Sequence, residues 1–285
     1  MYPSQFEYQR PGTVKEAIAL LESDPDAKII AGGHSLLPAM KLRLAMPGTL
    51  VDIARLDELK GISVSGGAAR IGSAATYLEI ADSADLAGSH PIIGEVVHVI
   101  GDPSVRARGT FGGCLAHSDP AADLTAVFLA LNGSVTVEGP GGSREIASDD
   151  LFVDLLTTSI SPDEILTSIS LPALNGAGAA YEKHRHPASG YAVVGVAAVV
   201  SVQGGNITAA RVAVTGATAK AERATSTEAS LIGKAANGET IKAAAALAGD
   251  GLGVNGDVYA SADYRSHLIT VLAKRAIARA AGVSL

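Results

Sequence analysis

Apolar positions along the chain follow helical spacing in some stretches and strand spacing in others, in an irregular order. Thr13-Val14-Lys15-Glu16 precedes Ala17, Ile18, Leu20 and Leu21, a pattern in which Thr13 caps the Glu16 amide and Glu16 reaches back, so a helix opens there. Lys28-Ile29-Ile30-Ala31 reads as a short buried strand stopping at Gly32-Gly33, where the backbone can turn in ways a side chain would obstruct. Residues 49–53 form a second strand, and residues 62–64 and 69–72 a hairpin across Ser65-Gly66-Gly67-Ala68. Thr76 to Glu79 repeats the capping pattern, and residues 91–100 return to helical spacing. Asp102-Pro103 and Asp119-Pro120 each place proline directly after a capping acid, so each predicts a helix start, the second opening an apolar helix over 121–131.

Residues 134–138 are strand-like, and residues 164–171 alternate until Pro172 stops them. Asn175-Gly176-Ala177-Gly178 is the sharpest break in composition and sets the expected domain boundary, 1–175 against 176–285. Beyond it come three strand-like stretches, 179–184, 191–202 and 207–215, the last two joined by the turn Gln203-Gly204-Gly205-Asn206. The final seventy residues turn to alanine-rich helix. There Tyr264, Leu268, Val271, Leu272 and Ile277 form an apolar stripe, with Lys274, Arg275 and Arg279 toward the C-terminal end, where the helix dipole favours them. The class is α+β.

Composition narrows the functions. With 285 residues, 47% hydrophobic and 18% charged, the chain is a packed globular protein. A net charge of −7, 4% aromatics and no tryptophan argue against nucleic acid as a partner. The longest apolar run, residues 192–200, is about half of the ~20 needed to span a bilayer, so it reads as a buried strand. Residues 1–7 show no basic stretch leading into an apolar one, and the expected location is the cytoplasm. The single cysteine, Cys114, cannot by itself ligate an iron–sulfur cluster or a structural zinc.

Two glycine pairs carry the candidate chemistry. Ala31-Gly32-Gly33-His34-Ser35 follows a strand, and its successive amides with the Ser35 hydroxyl suit an anion such as a pyrophosphate. Thr110-Phe111-Gly112-Gly113-Cys114 reads as a second such loop, with Asp123 downstream where a carboxylate could accept ribose hydroxyls. Spacing alone fits two tight turns that let backbones pack better than it fits a phosphate cradle, because paired glycines are common in turns. Gly251-Leu252-Gly253-Val254-Asn255-Gly256 matches a dinucleotide fingerprint in letters, but a helix precedes it where a buried strand is required. His184 and His186 lack a third metal ligand, and no strained serine elbow supports a hydrolytic triad.

The stretches AGGHSLLPAMKLRLAMPGTLVDI (31–53), GDPSVRARGTFGGCLAHSDPAADL (101–124) and AYEKHRHPASGYAVVGVAAVV (180–200) resemble, in collinear order, the FAD-binding medium subunits of the molybdenum hydroxylase (xanthine dehydrogenase) family. The likeness runs over nearly the whole chain and is strongest to the carbon monoxide dehydrogenase branch. It implies an FAD-binding domain of the vanillyl-alcohol-oxidase type in two subdomains, about 1–57 and 58–175. A smaller C-terminal domain with a three-stranded antiparallel sheet and helices would follow. By the resemblance, Ala31, Gly32, Gly33, His34, Ser35, Thr110, Phe111, Gly112, Gly113 and Cys114 hold the FAD pyrophosphate. Asp123 falls in the ribose region, Tyr191 over the isoalloxazine ring, and Leu166 and Lys183 near the flavin. Members commonly carry Asn at the position of Cys114 and often Asp at that of Gly190, so a side-chain hydrogen bond and a charge near the flavin are altered here.

The implied role is electron transfer. A large partner with a molybdenum cofactor oxidises the substrate and a small partner with [2Fe–2S] clusters relays electrons. FAD in this chain delivers them to an external acceptor such as a quinone. The implied assembly is a dimer of heterotrimers in the cytoplasm, held at the inner face of the membrane, if at all, through a partner. A purine, N-heterocycle, aldehyde or aryl-CoA substrate would leave this chain nearly the same. A stand-alone flavin oxidase and a non-catalytic module with empty glycine turns are the competing classes.

Overall fold

The computed structural model describes all 285 residues. The N-terminal part comprises β1 (Glu7–Gln9), α1 (Val14–Ser23), β2 (Lys28–Ile30), α2 (Leu36–Lys41) and β3 (Thr49–Asp52). Its three strands are parallel in the order β1-β3-β2. Thr13 Oγ1 accepts from Glu16 N at 3.1 Å, and the Glu16 carboxylate reaches back to Gly12 N at 2.6 Å, one residue beyond the expected partner. Val14, Ala17, Ile18 and Leu21 form the buried face of α1 over Val51 and Ile53. The strand expected to be buried, β2, is the edge strand: Lys28 is exposed, and Ile29 and Ile30 are only half-buried.

The middle part runs through β4 (Ile62–Ser65), β5 (Ala68–Gly72), α3 (Tyr77–Ala81), α4 (Ala84–Ser89), α5 (Pro91–His98), α6 (Pro103–Arg106), α7 (Phe111–His117) and α8 (Asp123–Ala130). β6 (Ser134–Gly139), β7 (Gly142–Ala147), α9 (Ser148–Leu151), β8 (Phe152–Asp154), β9 (Thr157–Thr158) and β10 (Ile165–Leu171) complete it. Five strands form an antiparallel sheet in the order β4-β5-β10-β6-β7. The β4–β5 turn has Gly66 and Gly67 at φ +57° and +82°, the primed-turn geometry that its sequence predicts. Phe111, Leu115, Leu124 and Phe128 fill the core beneath.

One expected helix start is displaced. Pro120 does not open α8, which begins three residues later at Asp123, while Asp119 Oδ1 caps a turn by accepting from Ala121 N at 2.8 Å. The cause is tertiary: the carbonyls of Pro120, Ala121 and Ala122 are taken by groups from the C-terminal sheet. The stretch 120–122 is thus held against the C-terminal sheet, and the helical ladder begins after it.

The C-terminal part holds β11 (Gly178–Arg185), β12 (Ala192–Gln203), β13 (Asn206–Thr215), β14 (Glu222–Arg223), α10 (Thr225–Leu231), α11 (Gly238–Ala245) and α12 (Ala262–Ala280). The sheet has four strands, β11-β12-β13-β14, because the two-residue β14 joins the three expected ones; so short a strand leaves no periodic signal. The run 192–200 is buried on both faces for a definite reason. Val196, Ala198 and Val200 pack with Leu268, Leu272 and Ala276 of α12, whereas Ala197 joins the core of Leu124 and Val127. The backbone turns at Asn175 and Gly176, both left-handed, between β10 and β11, but one core crosses that point. No helix is long and apolar enough to cross a membrane.

Candidate functional site

The loop after β2 is built to receive an anion. The amides of Ala31, Gly32, Gly33, His34, Ser35 and Leu36 donate to no acceptor within the protein, a run of six free N–H groups. Gly33 supplies the bend at φ +75°, and Ser35 stands at the head of α2 with its hydroxyl uncommitted. The His34 side chain is exposed.

The second glycine segment is different from the expected loop. Thr110 caps α7, so Gly112 and Gly113 lie in the first helical turn. Their amides are spent: Phe111 N donates to Ala75 O at 3.2 Å, Gly112 N to Ser73 O at 3.0 Å, Gly113 N to Thr110 Oγ1 at 3.0 Å and Cys114 N to Thr110 O at 3.0 Å. The glycines serve close packing instead, since a Cβ on Gly112 would stand 2.5 Å from Ser73 Cβ. Phe111 is fully buried and meets Phe128 edge to face at 6.5 Å.

The two segments nevertheless meet. A Cβ on Gly32 would overlap the Arg108 carbonyl oxygen and stand 2.9 Å from Gly109 Cα, so the first loop packs on the residues that lead into Thr110. Stretches about eighty residues apart thus form one wall.

A buried polar cluster lies at the head of α8. Asp123, at the head of α8, accepts from Tyr181 Oη at 2.5 Å and from Lys183 Nζ at 2.9 Å. The Asp123 and Lys183 side chains are only 5% and 7% exposed. Burial pushes the Asp123 carboxyl above its ordinary range and outweighs the lowering by Lys183 and the Tyr181 hydrogen bond. Burial likewise pushes the Cys114 thiol up to about 12, against a lowering by the Tyr77 hydroxyl and with Asp123 and Asp119 adding to the rise. Leu166 is buried on β10 within the same core as Phe111 and Leu115.

Tyr191 is 46% exposed. Burial, and after it the charges of Asp119, Cys114 and Asp123, push its hydroxyl above the ordinary phenol range. Tyr191 lines a cleft of about 390 Å³ at the seam between the middle and C-terminal parts, with Asp119, His186, Asn255, Tyr259 and Arg265. Gly190 before it has φ +76°, and its position for a Cβ lies 3.1 Å from the Arg185 guanidinium. The His186 ring is 4.2 Å from that of Tyr259, and His184 meets Tyr264 at 6.0 Å. The GLGVNG stretch is an irregular connection.

Tyr181, Gly195 and Thr215 belong to this site and were not singled out from sequence. Alternation along β11 puts Tyr181 on the face of Lys183, a signal that was available. Thr215 required the strand register.

Comparison with known proteins agrees over the whole chain. Residues 4–174 match the family described as the FAD binding domain in molybdopterin dehydrogenase, and residues 179–280 the CO dehydrogenase flavoprotein C-terminal domain. The carbon monoxide dehydrogenase medium chain of Hydrogenophaga pseudoflava is 37% identical over 279 residues, 97% of each chain. The nicotine 6-hydroxylase medium subunit of Paenarthrobacter nicotinovorans is 37% identical over 274 residues, 96% of each. The structure of the Hydrogenophaga pseudoflava carbon monoxide dehydrogenase lacking the Mo-pyranopterin moiety superposes with a TM-score of 0.95 at 39% identity, covering 98% of both chains.

Proposed function

The chain belongs to the family of FAD-binding subunits of molybdenum hydroxylases, oxidoreductases all, and from that membership we propose that it is the electron-transfer subunit of an aerobic carbon monoxide dehydrogenase. The reaction of such an assembly is CO + H2O → CO2 + 2H⁺ + 2e⁻. FAD, when bound, takes up electrons singly and releases them as a pair. The observation that carries the reading is the row of six free amides on a loop that needs glycine to pack against the segment leading into Thr110.

The residues present fit the cofactor. Amides of Ala31, Gly32, Gly33, His34 and Ser35 neutralise the pyrophosphate without lysines, which suits an acidic protein. Thr110, Phe111, Gly112, Gly113 and Cys114 form the wall rather than a second set of donors. Asp123 would fall in the ribose region and Lys183 near the flavin, Leu166 would supply apolar surface from β10, and Tyr191 would cover the isoalloxazine ring.

A single cysteine leaves the [2Fe–2S] clusters to a small partner chain and the molybdenum cofactor to a large one, in a dimer of heterotrimers. The final acceptor is a quinone, reached in the cytoplasm or at the inner face of the membrane. Equal identity to the nicotine 6-hydroxylase subunit favours one second reading: the same role beside a large subunit that oxidises an N-heterocycle.

The test is the visible absorption spectrum of the purified chain with and without FAD, for wild type, Gly33→Val and Gly113→Val. Flavin bands in wild type and their loss in both variants, with folding intact by circular dichroism, support the reading. A chain without flavin bands that releases no FAD on denaturation, alone or with its co-expressed partners, rejects it.

A further inference from the structure

The C-terminal sheet turns one row of side chains toward the start of α8. Lys183 of β11 pairs with Gly195 of β12, and Gly195 with Thr215 of β13. These three, with Tyr181 two residues before Lys183, therefore share one face. Tyr181 and Lys183 hold the Asp123 carboxylate. Thr215, which is fully buried, holds the backbone just ahead of it, its hydroxyl lying 2.7 Å from Pro120 O and 2.9 Å from Ala122 O. Gly216 N adds a bond to Pro120 O at 2.7 Å, and Ala192 N one to Ala121 O at 3.4 Å. Gly195 makes the row possible, because a Cβ there would overlap the Tyr181 hydroxyl and stand 2.9 Å from Thr215 Cγ2. With no side chain at 195, the phenol lies across β12 and reaches Asp123. Three strands grip the stretch 120–123 by its carbonyls and its carboxylate at once.

We propose that Tyr181 and Thr215 are positioning residues for the flavin: together they fix where Asp123 and Lys183 stand, and so the orientation in which this chain holds FAD. The proposal rests on the reading that FAD binds against Asp123 and Lys183. Neither hydroxyl is needed to satisfy the groups around it. Without Thr215 Oγ1, Pro120 O keeps the Gly216 amide and Ala122 O keeps Thr125 Oγ1 at 2.7 Å. Without Tyr181 Oη, Asp123 keeps Lys183. Removing either hydroxyl loosens the hold of the sheet on the start of α8 while Gly216, Ala192 and Lys183 keep their bonds, so its effect falls on ligand geometry more than on folding.

The test uses the full chain as wild type, Tyr181→Phe, Thr215→Val and Thr215→Ser, titrated with FAD by flavin fluorescence and then compared by visible circular dichroism at saturation. Tyr181→Phe and Thr215→Val are expected to bind FAD about five- to tenfold more weakly, the scale of one hydrogen bond, and to change the visible dichroism of the bound flavin. Thr215→Ser, which keeps the hydroxyl, is expected to match wild type in both. Wild-type affinity with an unchanged flavin spectrum in Tyr181→Phe and Thr215→Val overturns the proposal and leaves the FAD reading standing. Thr215→Ser as disturbed as Thr215→Val overturns it too, because the hydroxyl is then not the cause. A wild type that takes up no FAD either alone or in the complex with its co-expressed partners removes the reading beneath it and the proposal with it. Should Thr215→Val fail to fold, Thr215→Ala replaces it; failure of both while Thr215→Ser folds assigns the hydroxyl to folding and overturns the proposal.

Discussion

Gly32 lies so close to Arg108 that a Cβ on it would overlap the Arg108 carbonyl oxygen. The neighbour is backbone and cannot swing aside, so Gly32→Ala forces the free-amide loop and the segment leading into Thr110 apart. A loss of about 1–3 kcal/mol in stability is expected, the usual scale of overpacking, with more than about a tenfold loss in FAD affinity. Gly48, which has nothing within 4 Å of its Cβ position, is the control, and Gly48→Ala is expected to leave both unchanged. Urea unfolding and fluorescence titration measure the two quantities.

Lys183 and Asp123 form a buried pair, so Lys183→Met strands a carboxylate and costs about 3–5 kcal/mol near neutral pH. The Asp123 carboxyl is already raised above its ordinary value, and loss of the cation raises it further. A folded-state value above the unfolded one means that the native state binds the extra proton. The stabilisation is then full below the unfolded value of about 3.9 and is lost as pH climbs through the folded one. Lys183→Met should therefore lose stability more steeply than wild type as pH rises from about 4 to 8. Denaturant midpoints across that range provide the check, and parallel curves would contradict it.

Cys114 is half-buried, and its reactivity in the folded protein is expected to be low because its thiol is held protonated. With its thiol pushed up to about 12, the thiolate fraction at pH 8 is about a thousandfold below that of a free cysteine. Iodoacetamide should label the native chain barely at all and the urea-unfolded chain fully, as read by intact mass. Rapid native labelling would show that the thiol is less enclosed than its surroundings imply.

Asp149 joins the middle part to the C-terminal sheet through Arg211 at 2.6 Å and Arg223 at 2.9 Å. The carboxylate is 43% exposed, so solvent screens much of this attraction. Asp149→Ala is expected to lower the thermal midpoint by about 2 °C in low salt and by less in about 1 M salt. Equal losses at both ionic strengths would point to packing instead.

What the sequence made legible was local. The caps at Thr13, Thr76 and Asp102 and the Gly66-Gly67 turn depend on neighbours within four residues, and each forms where its pattern indicated. The glycine segments were found as candidates, but the state of their amides was not, because it depends on partners such as Ser73 and Ala75 nearly forty residues away. Pro120 failed as a helix start for the same kind of reason: Thr215, far along the chain, claims its carbonyl. The edge position of β2 and the brief β14 are products of strand order, which periodicity does not encode.

Because Ala197 and Ala213 close the core over α8, and Tyr181, Lys183 and Thr215 grip its first residues, the candidate site is finished by strands that come after residues 4–174. During synthesis the glycine loop leaves the ribosome early, while the grip on Asp123 awaits residue 215. A chain stopped before residue 215 would carry the free-amide loop but lack the Thr215 hold on residues 120 and 122.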